Sequence, residues 1–276
     1  MTSEGGFADS VQAISFDFGN TLVPVGRDDL RAVVRQMTRW VAVRSGPFDE
    51  DAFVAAWAAE GKRQFAEEVP LMSEVDLAQR TIRVLAQMRG IAAPGRAARW
   101  DDDAAARLST PEEVEAALAD YSRAFLELIR APAVVGPLLE RLAPRYVLGI
   151  CSNWPLAAMI DRFVENAGWL PHLRTIVVSQ RVGSIKPDPR MFAAAETALG
   201  TASDAILHVG DDWIADVVGA KRAGWRAAYL PGRAADSPLP RSEPDGTVVP
   251  DLVLERLIDL EAALAADSTR SRVVGG

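Results

Sequence analysis

The chain has 276 residues, about 1.8 typical domain lengths, which excludes an isolated small motif and fits one large domain or a core with a second unit. Hydrophobic residues at 49% and charged residues at 25% exclude disorder over most of that length. A net charge of −8 disfavours nucleic acid or an anionic membrane as partner, and a single cysteine, Cys151, excludes an internal disulfide and a cysteine-based zinc site. The amino-terminal run MTSEGGFADS has neither a basic start nor an apolar stretch, and no segment reaches the roughly 18 apolar residues of a membrane span, so a cytoplasmic protein is expected.

In chain order, residues 11–16 (VQAISF) are the first of five short apolar runs; the others are 146–150 (YVLGI), 175–178 (TIVV), 206–209 (ILHV) and 226–230 (RAAYL). Each is too continuous for a strand with one wet face, and helical patterns separate the last four. The expected class is α/β, a doubly wound parallel sheet. The first run leads into Asp17-Phe18-Gly19-Asn20-Thr21-Leu22, setting a carboxylate at the carboxyl end of a buried strand, where open α/β sheets bind ligands. A turn aspartate closing a strand is the plain structural alternative.

Residues 23–135 carry no strand pattern. Leu30, Val33, Val34, Met37 and Val41 lie at helical spacing, as do Val114, Ala117, Leu118, Tyr121, Phe125 and Leu128. Thr110-Pro111-Glu112-Glu113 predicts an N-cap, a first-turn proline and a capping-box acid, and Ser73 with Asp76 predicts a weaker version. An all-helical insert thus separates the first two strands.

The second strand runs into Cys151-Ser152-Asn153-Trp154-Pro155, and the stretch from Pro155 to Gly168 predicts a helix starting at the same rim, where free amides and a hydroxyl favour an anion. An ordinary helix cap has the same pattern. After the third strand comes Lys186 within residues 184–189 (SIKPDP). It is one of three lysines in an arginine-rich chain, consistent either with a need for a compact ammonium or with an exposed loop. The fourth strand ends in Gly210-Asp211-Asp212, with Asp216 following. Three close carboxylates repel one another unless a cation or solvent compensates, and hard oxygen ligands suit Mg²⁺; a solvated acidic helix start is the alternative. His208, inside the fourth run, reads as a packed, hydrogen-bonded core residue and His172 as a loop residue. Residues 232–250 read as a surface loop, 252–265 as a last short strand or helix, and the tail from 263 as disordered.

Together these motifs resemble the haloacid dehalogenase superfamily of hydrolases in its helical-cap branch: DFGNT, then Ser152-Asn153, then Lys186 in KPDP, then GDDWIAD, in the family's order and spacing. The resemblance implies a Rossmann-like core over residues 10–22 and 136–262, a helical cap over 23–135, and hydrolysis of small phosphorylated substrates with neither nucleic acid nor membrane as partner. It implies that Asp17 attacks phosphorus and that Mg²⁺ is held by Asp17, the Gly19 carbonyl and Asp211, with Asp212 or Asp216 as a further ligand. Ser152, the Asn153 amide and Lys186 would bind the phosphoryl group, and Thr21 would support the loop. Trp154 and Trp213 are placed to wall the pocket, while Trp40 and Trp57 read as packing within the cap.

One position departs from the family's phosphatases: Gly19 stands where a second aspartate usually serves as general acid and base. Asp28, Asp29 and Asp212 are candidate substitutes, although acids at a helix start also serve as caps. A 2-haloacid dehalogenase, a phosphonatase using Lys62, and a weakly active or non-catalytic binding protein are therefore alternatives to the phosphatase.

Overall fold

Six short strands form one parallel sheet: β1 (Ala13–Phe16), β2 (Val147–Ser152), β3 (Thr175–Val178), β4 (Ile206–Gly210), β5 (Arg226–Tyr229) and β6 (Leu252–Val253), in the spatial order β3-β2-β1-β4-β5-β6. The computed structural model describes residues 10–91, 109–232 and 236–266. The chain builds β2 and β3 on one side of β1 and then returns past it to place β4. The strand order therefore switches between β1 and β4, and in open α/β sheets ligands bind at the carboxyl ends of the strands at such a switch. Asp17 directly follows β1 and Asp211 directly follows β4, so the switch point sets two carboxylates side by side. The predicted α/β doubly wound class is the one found. β2 continues through Cys151 and Ser152, two residues beyond the predicted run, because both still pair with β3.

The pleat sends alternate side chains to opposite faces. Ala13, Cys151, Ile206 and Ala227 join a core containing Phe192 and Trp225, whose rings meet edge to face at 5.3 Å. Ile14, Phe16, Ile150 and Val209 fill the other face and are fully buried. Burial on both faces explains the continuous apolar runs.

The chain separates into two compact units, Gly26–Arg130 forming one and Met1–Val25 with Ala131–Gly276 the other. Among its described residues the first holds the helices α1 (Arg27–Ser45), α2 (Glu50–Glu67), α3 (Leu77–Met88) and α4 (Pro111–Leu128). Its core includes Val33, Met37, Phe53, Trp57, Tyr121 and Phe125, with Trp57 stacked on Tyr121 at 5.7 Å. The amphipathic spacing is the reason these helices form, and the starts follow capping chemistry. Thr110 Oγ1 accepts the Glu113 N–H at 3.2 Å with Pro111 in the first turn. For α3 the cap is Asp76, which accepts from Ala78 and Gln79 N–H groups, rather than Ser73. Asp29 is occupied in the same way, accepting the Gly26 N–H at 3.1 Å at the start of α1.

The sheet unit adds α5 (Val135–Leu142), α6 (Ala157–Asn166), α7 (Ser179–Val182), α8 (Pro189–Leu199) and α9 (Gly219–Arg222). α6 starts at Ala157, later than predicted, because the preceding loop is held by neighbours: the Trp154 N–H donates to Ser179 Oγ at 2.8 Å and the Ala157 N–H to Gln180 Oε1 at 2.7 Å. Residues 260–266 are helical with Leu260 and Leu264 buried, so the tail expected from 263 is ordered through 266; the remainder of that expectation lies outside the described residues. Among the described residues no helix is long and apolar enough to cross a membrane.

Candidate active site

The loop after β1 turns back immediately. Leu22 and Val23 both donate their N–H groups to Phe18 O, and Asn20 adopts a left-handed φ of 59° that its short amide side chain tolerates. The Asn20 amide then ties the loop down, accepting the Val25 N–H at 3.2 Å and donating to Ser237 Oγ at 3.1 Å. Asp17 sits at the root of this turn, buried, with its N–H bonded to Val209 O of β4.

Lys186 is the centre of the site. Its Nζ donates to Asp17 Oδ1 at 2.9 Å, Asp216 Oδ1 at 2.6 Å and Cys151 O at 2.7 Å, so all three ammonium hydrogens have acceptors. Asn153 holds the Lys186 backbone from both sides, accepting its N–H at 2.7 Å and donating to its carbonyl at 3.0 Å. Asp17 Oδ1 also receives Ser152 Oγ at 2.9 Å, which leaves Oδ2 with no hydrogen-bond partner among the described residues. Asp211 receives Thr21 Oγ1 at 3.5 Å. Asp17, Asp211 and Asp216 each bring a carboxylate oxygen within 4.8 Å of the others, all three residues being buried.

Electrostatics divides the labour among these acids. Burial pushes the Asp17 carboxyl up to about 6; the Lys186 ammonium opposes this shift and the Asp216 charge adds to it. Burial acts on Asp216 as well, yet Lys186 and His208 outweigh it and hold that carboxyl below its ordinary value. Asp216 receives three donors, including the Asp212 N–H at 2.9 Å, and is the acid that stays ionised. Burial disfavours the Lys186 ammonium, but Asp17 and Asp216 more than compensate and keep it charged. Gly210 is required here, since a Cβ on it would lie 2.2 Å from the Asp216 carboxyl carbon.

Sequence reasoning placed Asp17, Ser152, Asn153, Lys186, Asp211 and Asp216 at the strand ends, and the fold brings them together. Asp212 is drawn elsewhere. Its two oxygens accept from the Ala215 N–H at 2.8 Å, from Ser242 Oγ at 2.6 Å and from the Ser242 N–H at 2.8 Å, which makes it the cap of a wide turn over Trp213–Val218 rather than a member of the acidic trio. Trp213 is buried edge-on against Tyr229, its indole N–H on Asp245, and belongs to the core that holds Phe192 and Trp225. Trp154 is buried beside Phe18 at 5.6 Å and lies against Gly19. Lys62 is exposed on α2. Two contributors to the site were missed. His208 is packed and hydrogen-bonded in the core as expected, but one of its partners is a site residue: its Nε2 lies 3.1 Å from Asp216 Oδ1, and its Nδ1 3.0 Å from Ser15 Oγ. Because a carboxylate only accepts, Nε2 carries the hydrogen and Nδ1 accepts from Ser15. Burial and the Lys186 charge lower its pKa and keep the ring neutral. The loop after β5 is the other: Ser237, Leu239, Ser242 and Asp245 all reach the site loops, whereas its composition read only as surface.

A doubly wound sheet with an aspartate, an ammonium and two further carboxylates converging at its switch point defines a class of α/β hydrolytic enzyme. The chain belongs to the haloacid dehalogenase-like hydrolase family, whose match spans residues 11–224. It is 27% identical over 161 residues to glyceraldehyde 3-phosphate phosphatase of Methanopyrus kandleri, covering 57% of this chain and 67% of that one. It is 36% identical over 102 residues to phosphoserine phosphatase of Thermus thermophilus, covering 37% of each. These alignments thus span from about a third to two thirds of the curated relatives. Among solved structures, the 2-haloacid dehalogenase of Pseudomonas syringae pv. Tomato DC3000 superposes with a TM-score of 0.62 at 20% identity, covering 93% of this chain and 99% of that one. The magnesium-bound HAD-hydrolase YfnB of Bacillus subtilis gives 0.59 at 17%, covering 92% and 98%; both likenesses show the shared fold.

Proposed function

We propose that the protein is a Mg²⁺-dependent hydrolase of small-molecule phosphate monoesters acting through an aspartyl-phosphate on Asp17, with Gly26–Arg130 as its helical cap. The observation that carries this reading is the buried trio Asp17, Asp211 and Asp216 beside a single buried ammonium. Three carboxylates against one lysine leave a local excess of negative charge that suits a hard divalent cation. Asp17, Asp211 and the Gly19 carbonyl would hold it, with Asp216 behind them. When bound, the cation would screen the repulsion between carboxylate and phosphate.

The chain's own residues do the rest. Asp17 Oδ2, the oxygen without a hydrogen bond, attacks phosphorus, while Ser152 and Lys186 fix the other oxygen and so aim the carboxylate. Ser152 Oγ, the Asn153 backbone N–H and Lys186 then stabilise the phosphoryl oxygens. Thr21 steadies Asp211, Trp154 walls the pocket, and water hydrolyses the acyl phosphate. The phosphatase names of both curated relatives support this reading, and a single buried cysteine accords with a cytoplasmic setting.

The test is a phosphate-release assay of the full chain on p-nitrophenyl phosphate and a panel of phosphorylated metabolites, with and without Mg²⁺. Expected is Mg²⁺-dependent turnover that Asp17→Asn abolishes. Turnover unchanged in Asp17→Asn would falsify the mechanism. Metal-independent halide release from 2-haloacids would replace it with dehalogenation, a reaction that Gly19 also permits because a halide leaves without a proton.

A further inference from the structure

A polar rung of the sheet lies between the apolar core and the carboxylates. In the β1–β4 register Ala13 pairs with Ile206 and Ser15 with His208, and alternation puts these four side chains on one face. The His208 imidazole is buried, and Phe192 and Trp225 meet it edge to face at centroid distances of 6.0 and 6.2 Å. A phenyl ring would fill that space as well. What a phenyl ring lacks is the pair of nitrogens, and both are in use: Nδ1 lies 3.0 Å from Ser15 Oγ and Nε2 3.1 Å from Asp216 Oδ1.

The lysine gives the same tautomer as the carboxylate. Lys186 Nζ is 3.4 Å from His208 Nε2, but its three hydrogens go to nearer acceptors: Asp216 Oδ1 at 2.6 Å, the Cys151 carbonyl at 2.7 Å and Asp17 Oδ1 at 2.9 Å. With no hydrogen arriving from the lysine, Nε2 supplies the one shared with Asp216, and Nδ1 takes the Ser15 hydroxyl hydrogen. Ser15 thus sets the ring, the ring sets the carboxylate, and the carboxylate sets the ammonium. Asp216 Oδ1 is the acceptor that His208 and Lys186 share, while Oδ2 holds the Asp212 N–H at 2.9 Å. Without the ring hydrogen, Oδ1 keeps only the lysine, and the carboxylate can turn. Any turn carries Nζ with it, and Nζ helps to fix Asp17 Oδ1 so that Oδ2 is the oxygen left to react.

Resting on the phosphatase reading above, we propose that His208 is a positioning residue for the attack by Asp17, with Ser15 as the group that selects its tautomer. The imidazole acts through Asp216 and Lys186 rather than on the reacting atoms, and it keeps its single hydrogen on Nε2 throughout. A fault in this line slows the chemical step, because kcat depends on how Oδ2 is aimed. KM stays nearly constant, because Ser152 and Asn153 still meet the phosphoryl group.

Three variants separate the nitrogens from the packing. His208→Phe keeps an aromatic ring beside Phe192 and Trp225 and removes both hydrogen bonds. His208→Gln loses the ring but returns an amide N–H to Asp216, since a glutamine amide nitrogen reaches about as far as Nε2. His208→Asn reaches only as far as Nδ1 and stops short of Asp216. With the full chain, Mg²⁺ and p-nitrophenyl phosphate, His208→Phe is expected to lower kcat by about 10–100-fold with KM little changed. His208→Asn should match that loss and His208→Gln should recover most of it, so the two amides make the comparison even if the phenyl variant does not fold. If packing were the whole role, the phenyl variant would stay active and both amides would be impaired alike, and the proposal would fall. The chain has two histidines, His172 and His208, so ¹⁵N-histidine spectra of the metal-free protein read the buried ring directly. Expected are a hydrogen on Nε2 and a bare Nδ1, with a mixture of tautomers in Ser15→Ala. A hydrogen on Nδ1 in the parent would overturn the line from Ser15 to Asp17 whatever the assays show. Unchanged kcat in His208→Phe would overturn the positioning role and leave the phosphatase reading intact, whereas a parent without phosphatase activity would overturn both.

Discussion

Each unit of this protein buries an ionic cluster, and the two are built differently. In the sheet unit, Lys186 faces Asp17 and Asp216 at 2.9 and 2.6 Å with every ammonium hydrogen used, and Asp216 takes three donors. In the helical unit, Glu60, Gln64 and Arg80 are buried too, but the pairing is slack. Arg80 Nε donates to Gln64 Oε1 at 2.8 Å, Arg83 approaches Glu60 only to 3.8 Å, and Arg80 Nη2 and Glu60 Oε2 have no hydrogen-bond partner. Burial lowers the Arg80 pKa, while the sheet unit's carboxylates raise that of Lys186. A buried charge is costly unless its partners are close and complete. The helical cluster meets that condition in part and reads as packing, with the Arg80 guanidinium 5.4 Å from the Trp57 ring centroid. The sheet cluster meets it fully while leaving one carboxylate oxygen of Asp17 free to react.

The largest expected effect comes from that oxygen. Asp17→Asn should lower kcat on p-nitrophenyl phosphate by about 10⁴-fold or more, since removing a nucleophile forfeits the covalent route. Next, Lys186→Met leaves Asp17 and Asp216 facing each other without a cation and should cost about 3–5 kcal/mol in urea unfolding. A change near zero would show that the tight cluster is no more demanding than the slack one.

The pH dependence is intermediate in size. Asp17, raised from 3.8 to about 6, favours the folded state fully below pH 3.8 and loses that contribution as pH rises through about 6. Asp216, with its pKa lowered, does the opposite: its contribution is present above 3.8 and is lost as pH falls through its depressed value. In metal-free protein carrying ¹³C-labelled aspartate, the Asp17 carboxyl should titrate near 6, and Mg²⁺ should move the midpoint to lower pH; an unmoved midpoint would count against a cation in the trio. Smaller still, Ser242→Ala removes the hydroxyl's bond to Asp212 and the one it accepts from the Ile214 N–H, and should cost about 1–2 kcal/mol. Smallest is Arg80→Met, where an apolar replacement of a poorly paired ion should leave thermal stability within about 1 kcal/mol of the parent or above it. A loss as large as that of Lys186→Met would erase the contrast between the clusters.

Much of this was legible because it is local. The apolar runs at 11–16 and 206–209 mark the central strands Ala13–Phe16 and Ile206–Gly210, and the end of each run points to where its acid emerges. Capping at Thr110 is likewise written in four consecutive residues. Contacts that depend on register were hidden. Ser15 and His208 are paired residues on β1 and β4, 193 positions apart, and only that pairing sets the imidazole between a serine and Asp216. Ser242 reaches back 30 residues to Asp212, and Leu239 to Gly19, from a segment whose Pro and Ser content signals only a loop. Composition reports that such a segment is irregular; it does not report what the segment covers.

Cys151 gives the molecule a clock of its own. Burial pushes its thiol up to about 12, its sulfur lies 3.9 Å from the Met191 carbonyl, and its own carbonyl accepts from Lys186. Thiolate is the reactive form, so a thiol reagent can modify the native chain only when the end of β2 opens. With no second cysteine to blur the signal, the rate of modification times the excursions that expose the catalytic floor, and a ligand that tightens the site should slow it.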